Sequence, residues 1–223
     1  MRGVFVTGTG TEVGKTYVAA AIARALVADG QRVSVFKPAV TGLAAAGEAD
    51  HELLRRAAGS AQSDAEIAPY RYGPPMSPHL AAELAGERIE PERLRAAARA
   101  AAEGADALVA EGVGGLLVPL APGYLVRDLA VDLGLPLVVA ASPGLGTINH
   151  TLLTVEAARA AGLEVAAVVL TPWPEQPTAI ERSNRETIAA LGRVEVEVLP
   201  RLDPGDPGSW STAWLRQAGA SAR

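Results

Sequence analysis

Val4-Phe5-Val6-Thr7-Gly8-Thr9-Gly10-Thr11-Glu12-Val13-Gly14-Lys15-Thr16-Tyr17 stands near the start of the chain. A short apolar run passes into a glycine-rich turn and then into Gly14-Lys15-Thr16, after which an Ala-rich stretch reads as a helix beginning near Tyr17. This order of strand, loop and helix is the one that cradles a nucleoside triphosphate. The glycines let backbone N–H groups turn inward around phosphate oxygens, and the helix N-terminus adds its positive dipole. Lys15 can reach the β and γ phosphates, and the Thr16 hydroxyl suits Mg²⁺. The strict pattern has Gly five places before the Gly of Gly-Lys-Thr. Here that slot is Thr9, flanked by Gly8 and Gly10, so the loop is a variant.

Working outward, buried strands are read at Val4-Phe5-Val6, Val33–Phe36, Ala107–Ala110, Leu137–Ala140, Val165–Leu170 and Val196–Leu199, with helices near 16–29, 91–103, 147–161 and 177–191. This alternation predicts an α/β fold: a P-loop NTPase-like, mostly parallel sheet with helices on both faces. Asp29-Gly30, Gly104 and Gly162 follow helical runs, where Gly most easily takes the left-handed turn. The Pro-rich stretch from Ala68 to Pro78 reads as a long ordered loop of the same domain. Trp210 and Trp214, at helical spacing, read as part of a last helix docked on the core.

The 223 residues include 20 Lys and Arg against 25 Asp and Glu, a net charge of −5, and no cysteine. At about 150 residues per domain the length suits one large core, expected to span 1–223 as a single P-loop domain. Without Cys there is no disulfide scaffold, thiolate metal site or thiol nucleophile. The acidic balance argues against nucleic acid or a polybasic membrane contact, and no apolar run reaches the roughly 18 residues of a membrane span. A soluble cytoplasmic protein is expected.

Other polar residues sit where strands should end. Lys37 closes the second strand ahead of Pro38 and, in a parallel sheet, points to the same crevice as Lys15. It also reads as a solvated strand-end lysine. Glu111 closes a very apolar strand before Gly112-Val113-Gly114, as an acidic partner of Mg²⁺ does in phosphate sites. Asp50, ahead of His51-Glu52-Leu53-Leu54, reads best as a helix N-cap. Gly144-Leu145-Gly146-Thr147 is a second candidate anion site at a helix start, or a plain turn with Thr147 as cap. His51, His79 and His150 are too scattered for a metal site and read as structural.

Gly8 to Thr16 resembles the loop of the dethiobiotin synthetase family, ATP-dependent ligases of biotin synthesis. The resemblance extends over Lys37-Pro38-Ala39-Val40-Thr41-Gly42, Asp50, Ser77-Pro78-His79, Glu111-Gly112-Val113-Gly114-Gly115 and Gly144-Leu145-Gly146-Thr147-Ile148-Asn149-His150, and is loose only in the last fifth of the chain. It implies ATP as substrate, Mg²⁺ held by Thr16, Asp50 and Glu111, and catalytic roles for Lys37, Lys15 and Thr11. It implies nucleotide contacts from Glu12, Val13, Gly14, Lys15, Thr16, Tyr17, Asp50, Glu111, Gly112, Val113 and Gly114. The base would lie beside Thr171 and Pro172 with Pro200, Arg201 and Leu202 as the other wall. Substrate contacts fall to Thr41, Leu145, Gly146, Thr147 and Asn149.

The implied reaction joins 7,8-diaminononanoate and CO₂ through a carbamate and a carbamic-phosphoric anhydride. The implied assembly is a homodimer with the substrate site near the interface, where Asn149 and Asn184 could be completed by a second chain. The family often carries Asn where this chain has Thr171, so weaker discrimination among nucleoside triphosphates is expected. A Min or Par type switch ATPase is the alternative; its early loop lysine is missing from Thr9-Gly10-Thr11. An amidoligase acting on a corrin precursor would usually bring a cysteine-dependent glutaminase domain, which this chain cannot supply.

Overall fold

The computed structural model describes residues 2–44, 48–203 and 205. Trp210 and Trp214, with the helix expected there, lie outside them. Six parallel strands form the main sheet: β1 (Gly3–Gly8), β2 (Val33–Phe36), β3 (Ala107–Glu111), β6 (Leu137–Ala141), β7 (Val165–Trp173) and β8 (Val196–Pro200). Their spatial order is β2-β3-β1-β6-β7-β8. A two-stranded ribbon, β4 (Pro119–Ala121) with β5 (Tyr124–Leu125), stands apart. It follows the Gly-rich turn after β3 and is too short to leave a periodic signal.

Period-two alternation divides each strand between two cores. Val4 and Val6, Val35, Val109 and Val138 face one side, where α1 (Lys15–Ala28) and α2 (Asp50–Ala58) pack. Phe5, Phe36, Leu108, Ala110 and Leu137 face the other, covered by α5 (Pro91–Ala102) and α6 (Val126–Leu133). Residues 18–23 of α1 are all buried, and the run Ala19-Ala20-Ala21 lets its backbone lie close to both sheet and α2. Phe5 and Phe36 are fully buried, each worth about 1.5–3 kcal/mol of transfer free energy.

The strands and four helices expected from periodicity are present, with ends shifted by up to three residues; β7 runs on to Trp173, and α1 starts at Lys15, ahead of Tyr17. Short helices carried no readable period: α2, α3 (Asp64–Ile67), α4 (Pro78–Leu84) and α6. The stretch from Ala68 to Pro78 is ordered by the chain after β2. Val40 N–H donates to Tyr70 O, Tyr72 N–H to Val40 O, Leu43 N–H to Tyr72 O and Gly42 N–H to Pro74 O. This ladder fixes the loop that carries Thr41.

Two capping expectations are corrected. Ala49, with extended backbone, is the N-cap of α2, and its N–H donates to Glu52 Oε2 at 3.0 Å, so Asp50 is the first helical residue and its carboxylate turns elsewhere. Gly146, with φ 89°, is the N-cap of α7 (Thr147–Ala160), and the Thr147 hydroxyl pairs instead with that of Thr151 at 3.3 Å.

Candidate active site

All six parallel strands end on one edge of the sheet, and the singled-out strand-end residues lie along it in strand order. Lys37 follows β2, Glu111 ends β3, the phosphate loop follows β1, Gly144–Asn149 follows β6, Thr171 lies near the end of β7 and Pro200 closes β8.

The loop leaves the start of α1 open to an anion. Gly14, with φ 85°, caps α1 without any side-chain bond, and the first turn of α1 holds no acidic residue, so nothing within the helix competes for an anion. A Cβ on Gly14 would meet Thr171 Cγ2 at 2.5 Å, and one on Gly8 would meet Val13 Cγ2 at 2.7 Å and Lys15 Cγ at 2.9 Å. Both glycines are therefore required by the fold of the loop as well as by phosphate access. Thr9 N–H donates to Ala140 O at 3.0 Å, tying the loop to β6. Lys15 Nζ bonds Gly10 O at 2.7 Å, across the space the loop encloses.

Beside the loop four polar side chains meet. Lys37 Nζ lies 2.5 Å from Glu111 Oε1 and 2.8 Å from Asp50 Oδ2; the Thr16 hydroxyl donates to Glu111 Oε1 at 3.0 Å. Lys37 and Glu111 are buried, whereas Asp50 is half exposed at the mouth. Burial works against the Lys37 charge, but Glu111 and Asp50 together hold its pKa above the ordinary lysine value. Burial likewise drives the Glu111 carboxyl upward against the pull of Lys37. Asp50 resists its own desolvation and sits below the usual carboxylate range because of Lys37. Lys15, desolvated and near Lys37, is lowered despite Glu111.

Glu111 Oε2 is buried with no hydrogen-bond partner. A buried carboxylate oxygen left over beside a hydroxyl and a second carboxylate is a hard-oxygen donor set of the kind Mg²⁺ takes, and the residues fit that ion. Among the described residues no cluster of three or more His, Cys, Asp or Glu is present that could hold a metal by itself.

Gly112, Val113 and Gly114 turn back under the loop: Gly112 N–H donates to Val6 O at 2.8 Å, and a Cβ on Gly114 would come 3.7 Å from the Thr11 hydroxyl. Thr11 and Glu12 are exposed at the rim, with Glu12 at φ 59°, and Tyr17 opens on the first turn of α1. Thr171 is buried with its methyl against Gly14, joined to Pro172 by a cis peptide bond. Trp173 pairs with Pro200, and Leu202 packs on the same core cluster as Val13. The residues expected on the nucleotide side are thus one neighbourhood.

Those expected on the substrate side are not. Thr41 follows β2, while Leu145, Gly146, Thr147 and Asn149 follow β6, three strands away, or about 14 Å along the sheet. Leu145 is 97% exposed at the tip of its loop, and Asn149 is exposed. Asn184, expected to await a second chain, is buried and bonded within its own: its amide donates to Pro143 O and Gly144 O. His51 is buried on α2, as a structural histidine would be. The contacts that sequence reasoning missed are the Lys37–Glu111 pair and the Asp50 bridge, which join residues 74 and 13 positions apart; no local pattern encodes them.

Residues 2–206 match the family described as AAA domain. The ATP-dependent dethiobiotin synthetase of Anaeromyxobacter dehalogenans is 44% identical over 201 residues, covering 90% of each chain. That of Rhodococcus erythropolis is 41% identical over 94% of this chain and 93% of its own, and that of Bacillus subtilis 36% over 91% and 88%. The chain belongs to the dethiobiotin synthetase family. Two solved structures of the septum-site ATPase MinD share the fold. The Pyrococcus horikoshii protein, complexed with Mg-ADP, has a TM-score of 0.56 at 15% identity, covering 99% of this chain and 92% of its own. The Pyrococcus furiosus protein has a TM-score of 0.58 at 14% identity, covering 100% and 98%. At that identity the likeness speaks for the fold alone, and the family membership separates this chain from the switch-ATPase alternative.

Proposed function

We propose that the chain, acting as one domain, is an ATP-dependent dethiobiotin synthetase that takes 7,8-diaminononanoate and CO₂ to dethiobiotin, ADP and phosphate in biotin biosynthesis. The observation that carries this reading is the second lysine: Lys37, buried and held by Glu111 and Asp50 at the mouth of the phosphate loop, where a simple NTP hydrolase has no need of it.

One amine of the substrate takes up CO₂ and loses a proton to become a carbamate. Its anionic oxygen attacks the γ-phosphorus of ATP as the bond to the ADP oxygen breaks, leaving a carbamic-phosphoric anhydride. The second amine then attacks the carbonyl carbon, closes the ring and expels phosphate. At the phosphoryl-transfer step the nucleophile is already anionic and needs no general base, so that step reduces to positioning and charge neutralisation, while the protons shed by the two amines at carbamate formation and ring closure pass to solvent. Lys15 serves the β and γ phosphates. Lys37 faces the transferring group and the carbamate, while Thr11 and Thr41 hold the nucleophile by hydrogen bonds. Mg²⁺, on Thr16, Asp50 and Glu111, would supply charge neutralisation on the phosphates.

Glu12–Tyr17 and Gly112–Gly114 frame the phosphates and ribose, and Thr171, Pro172 and Pro200–Leu202 frame the base. The carboxylate of the aliphatic chain belongs with Leu145, Gly146, Thr147 and Asn149. The separation of these residues from Thr41, and the bare Leu145 tip, support a homodimer in which this loop of one subunit completes the substrate site of the other.

The deciding assay is phosphate release with Mg·ATP and bicarbonate, with and without 7,8-diaminononanoate. Release that requires the diamine, with dethiobiotin formed, is expected; release indifferent to it would favour a switch ATPase.

A further inference from the structure

The buried residues of α7 and of α8 (Ala179–Gly192) fall in one stripe each. Thr147, Thr151, Val155 and Ala158 are the buried residues of α7, and Asn184, Ile188 and Gly192 those of α8, all at one-turn spacing. The stripes are polar at the end under the Gly144–Thr147 turn, where Thr147, Thr151 and Asn184 lie; further along, Val155 and Ile188 pack into the core formed with β6 and β7. At their other end Arg159 of α7 donates to Gly192 O at 2.6 Å and Arg193 O at 3.0 Å, so the pair is anchored there independently.

A buried amide is costly unless it is satisfied, and Asn184 spends its nitrogen on two carbonyls, Pro143 O at 2.9 Å and Gly144 O at 3.1 Å. Above it the chain makes a tight turn: Thr147 N–H reaches Gly144 O at only 3.3 Å, and Gly146 sits at φ 89°. Leu145, almost fully exposed, packs on nothing. With so little holding it from above, the turn depends on the bonds beneath it. Those bonds orient the peptide units that precede α7, and hence the N–H groups of Ile148 and Asn149, which have no acceptor within the helix.

We infer that Asn184 is a positioning residue: by binding the carbonyls of Pro143 and Gly144 from below, it fixes the Gly144–Thr147 turn and so sets affinity for the anionic end of the diamine substrate, with no part in binding nucleotide. This rests on the substrate reading of that turn proposed above.

The test compares wild type, Asn184→Ala and Asn184→Asp in steady-state turnover of 7,8-diaminononanoate, with Mg·ATP affinity measured separately by calorimetry. The Asp variant keeps the shape but offers no donor to two carbonyls. Both variants are expected to raise KM for the diamine about tenfold or more, the loss of two hydrogen bonds, with kcat and ATP affinity within about twofold. The same diamine lacking its carboxylate should show no difference between variants and wild type. An unchanged diamine KM in both variants overturns the inference. So does a parallel loss of ATP affinity, which would mean that Asn184 supports the fold at large, or an equal effect on the carboxylate-free diamine. Wild-type protein without diamine-dependent turnover would instead sink the functional reading itself.

Discussion

Lys37 Nζ lies 2.5 Å from Glu111 Oε1, both side chains buried, at the ends of two neighbouring strands whose registry is set by Phe36 opposite Ala110. The sheet itself therefore delivers the pair. Breaking a buried ion pair from one side typically costs about 3–5 kcal/mol, because a charge is left without a partner. Here Asp50 and Lys15 stand close by, so each member has a second neighbour of opposite sign.

Lys37→Ala should abolish diamine-dependent turnover, by about 10³-fold or more, the scale of removing a charge-stabilising donor from a phosphoryl-transfer site. Nucleotide binding should survive nearly intact, since Lys15 and the loop N–H groups are untouched. Phosphate release and ATP calorimetry read the two effects; comparable turnover in the variant would remove Lys37 from the chemistry.

Glu111→Gln should leave the fold standing, with Lys37 still paired to Asp50, but raise the Mg²⁺ concentration needed for half-maximal turnover by about tenfold. The cause is the loss of the charge on the partnerless Oε2, which the proposed function gives to the metal. An Mg²⁺ titration of phosphate release checks it, and an unchanged midpoint would place the ion elsewhere.

Thr171 presses its methyl on Gly14 and cannot offer the side-chain amide that an Asn would bring to an adenine edge. ATP, CTP and GTP should therefore support turnover with kcat/KM values within about tenfold of one another. A competition assay with a steep preference for ATP would refute this.

At the opposite end of the sheet Arg32 clasps Asp106 with Nε and Nη2 bonds of 3.1 and 2.9 Å, and its backbone N–H adds a third at 2.9 Å. Those bonds pull the Asp106 carboxyl down to about 2. A depressed carboxylate stabilises the fold above its unfolded pKa near 4 and loses that contribution as pH falls toward 2. The Tm difference between wild type and Asp106→Asn should be present at pH 7 and narrow steadily between pH 4 and pH 3, with catalysis at pH 7 unaffected. A difference independent of pH would mean that the charge is irrelevant.

Much of this protein was legible in its sequence because the relevant signals are local. The phosphate loop needs Gly8, Gly14, Lys15 and Thr16 within a few residues, and the strands announce themselves as short apolar runs. Lys37 and Glu111 were findable for the same reason, each being the polar residue that ends an apolar strand. The order of the motifs from Gly8–Thr16 to Gly144–His150 likewise reached the family and hence the expected chemistry.

What tertiary structure alone decided is which of those residues meet. Asp50 reads as a cap because Asp before a helix usually is one, yet Ala49 takes that place and Asp50 turns to a lysine from another strand. Thr41 and Leu145 share a motif list but are set three strands apart by the order β2-β3-β1-β6. Asn184, an ordinary polar residue in a helical stretch, becomes the support of a distant turn. Sequence period encodes which face of a strand or helix is buried. It does not encode the order in which parallel strands are laid down, and that order determines which strand ends become neighbours in the site.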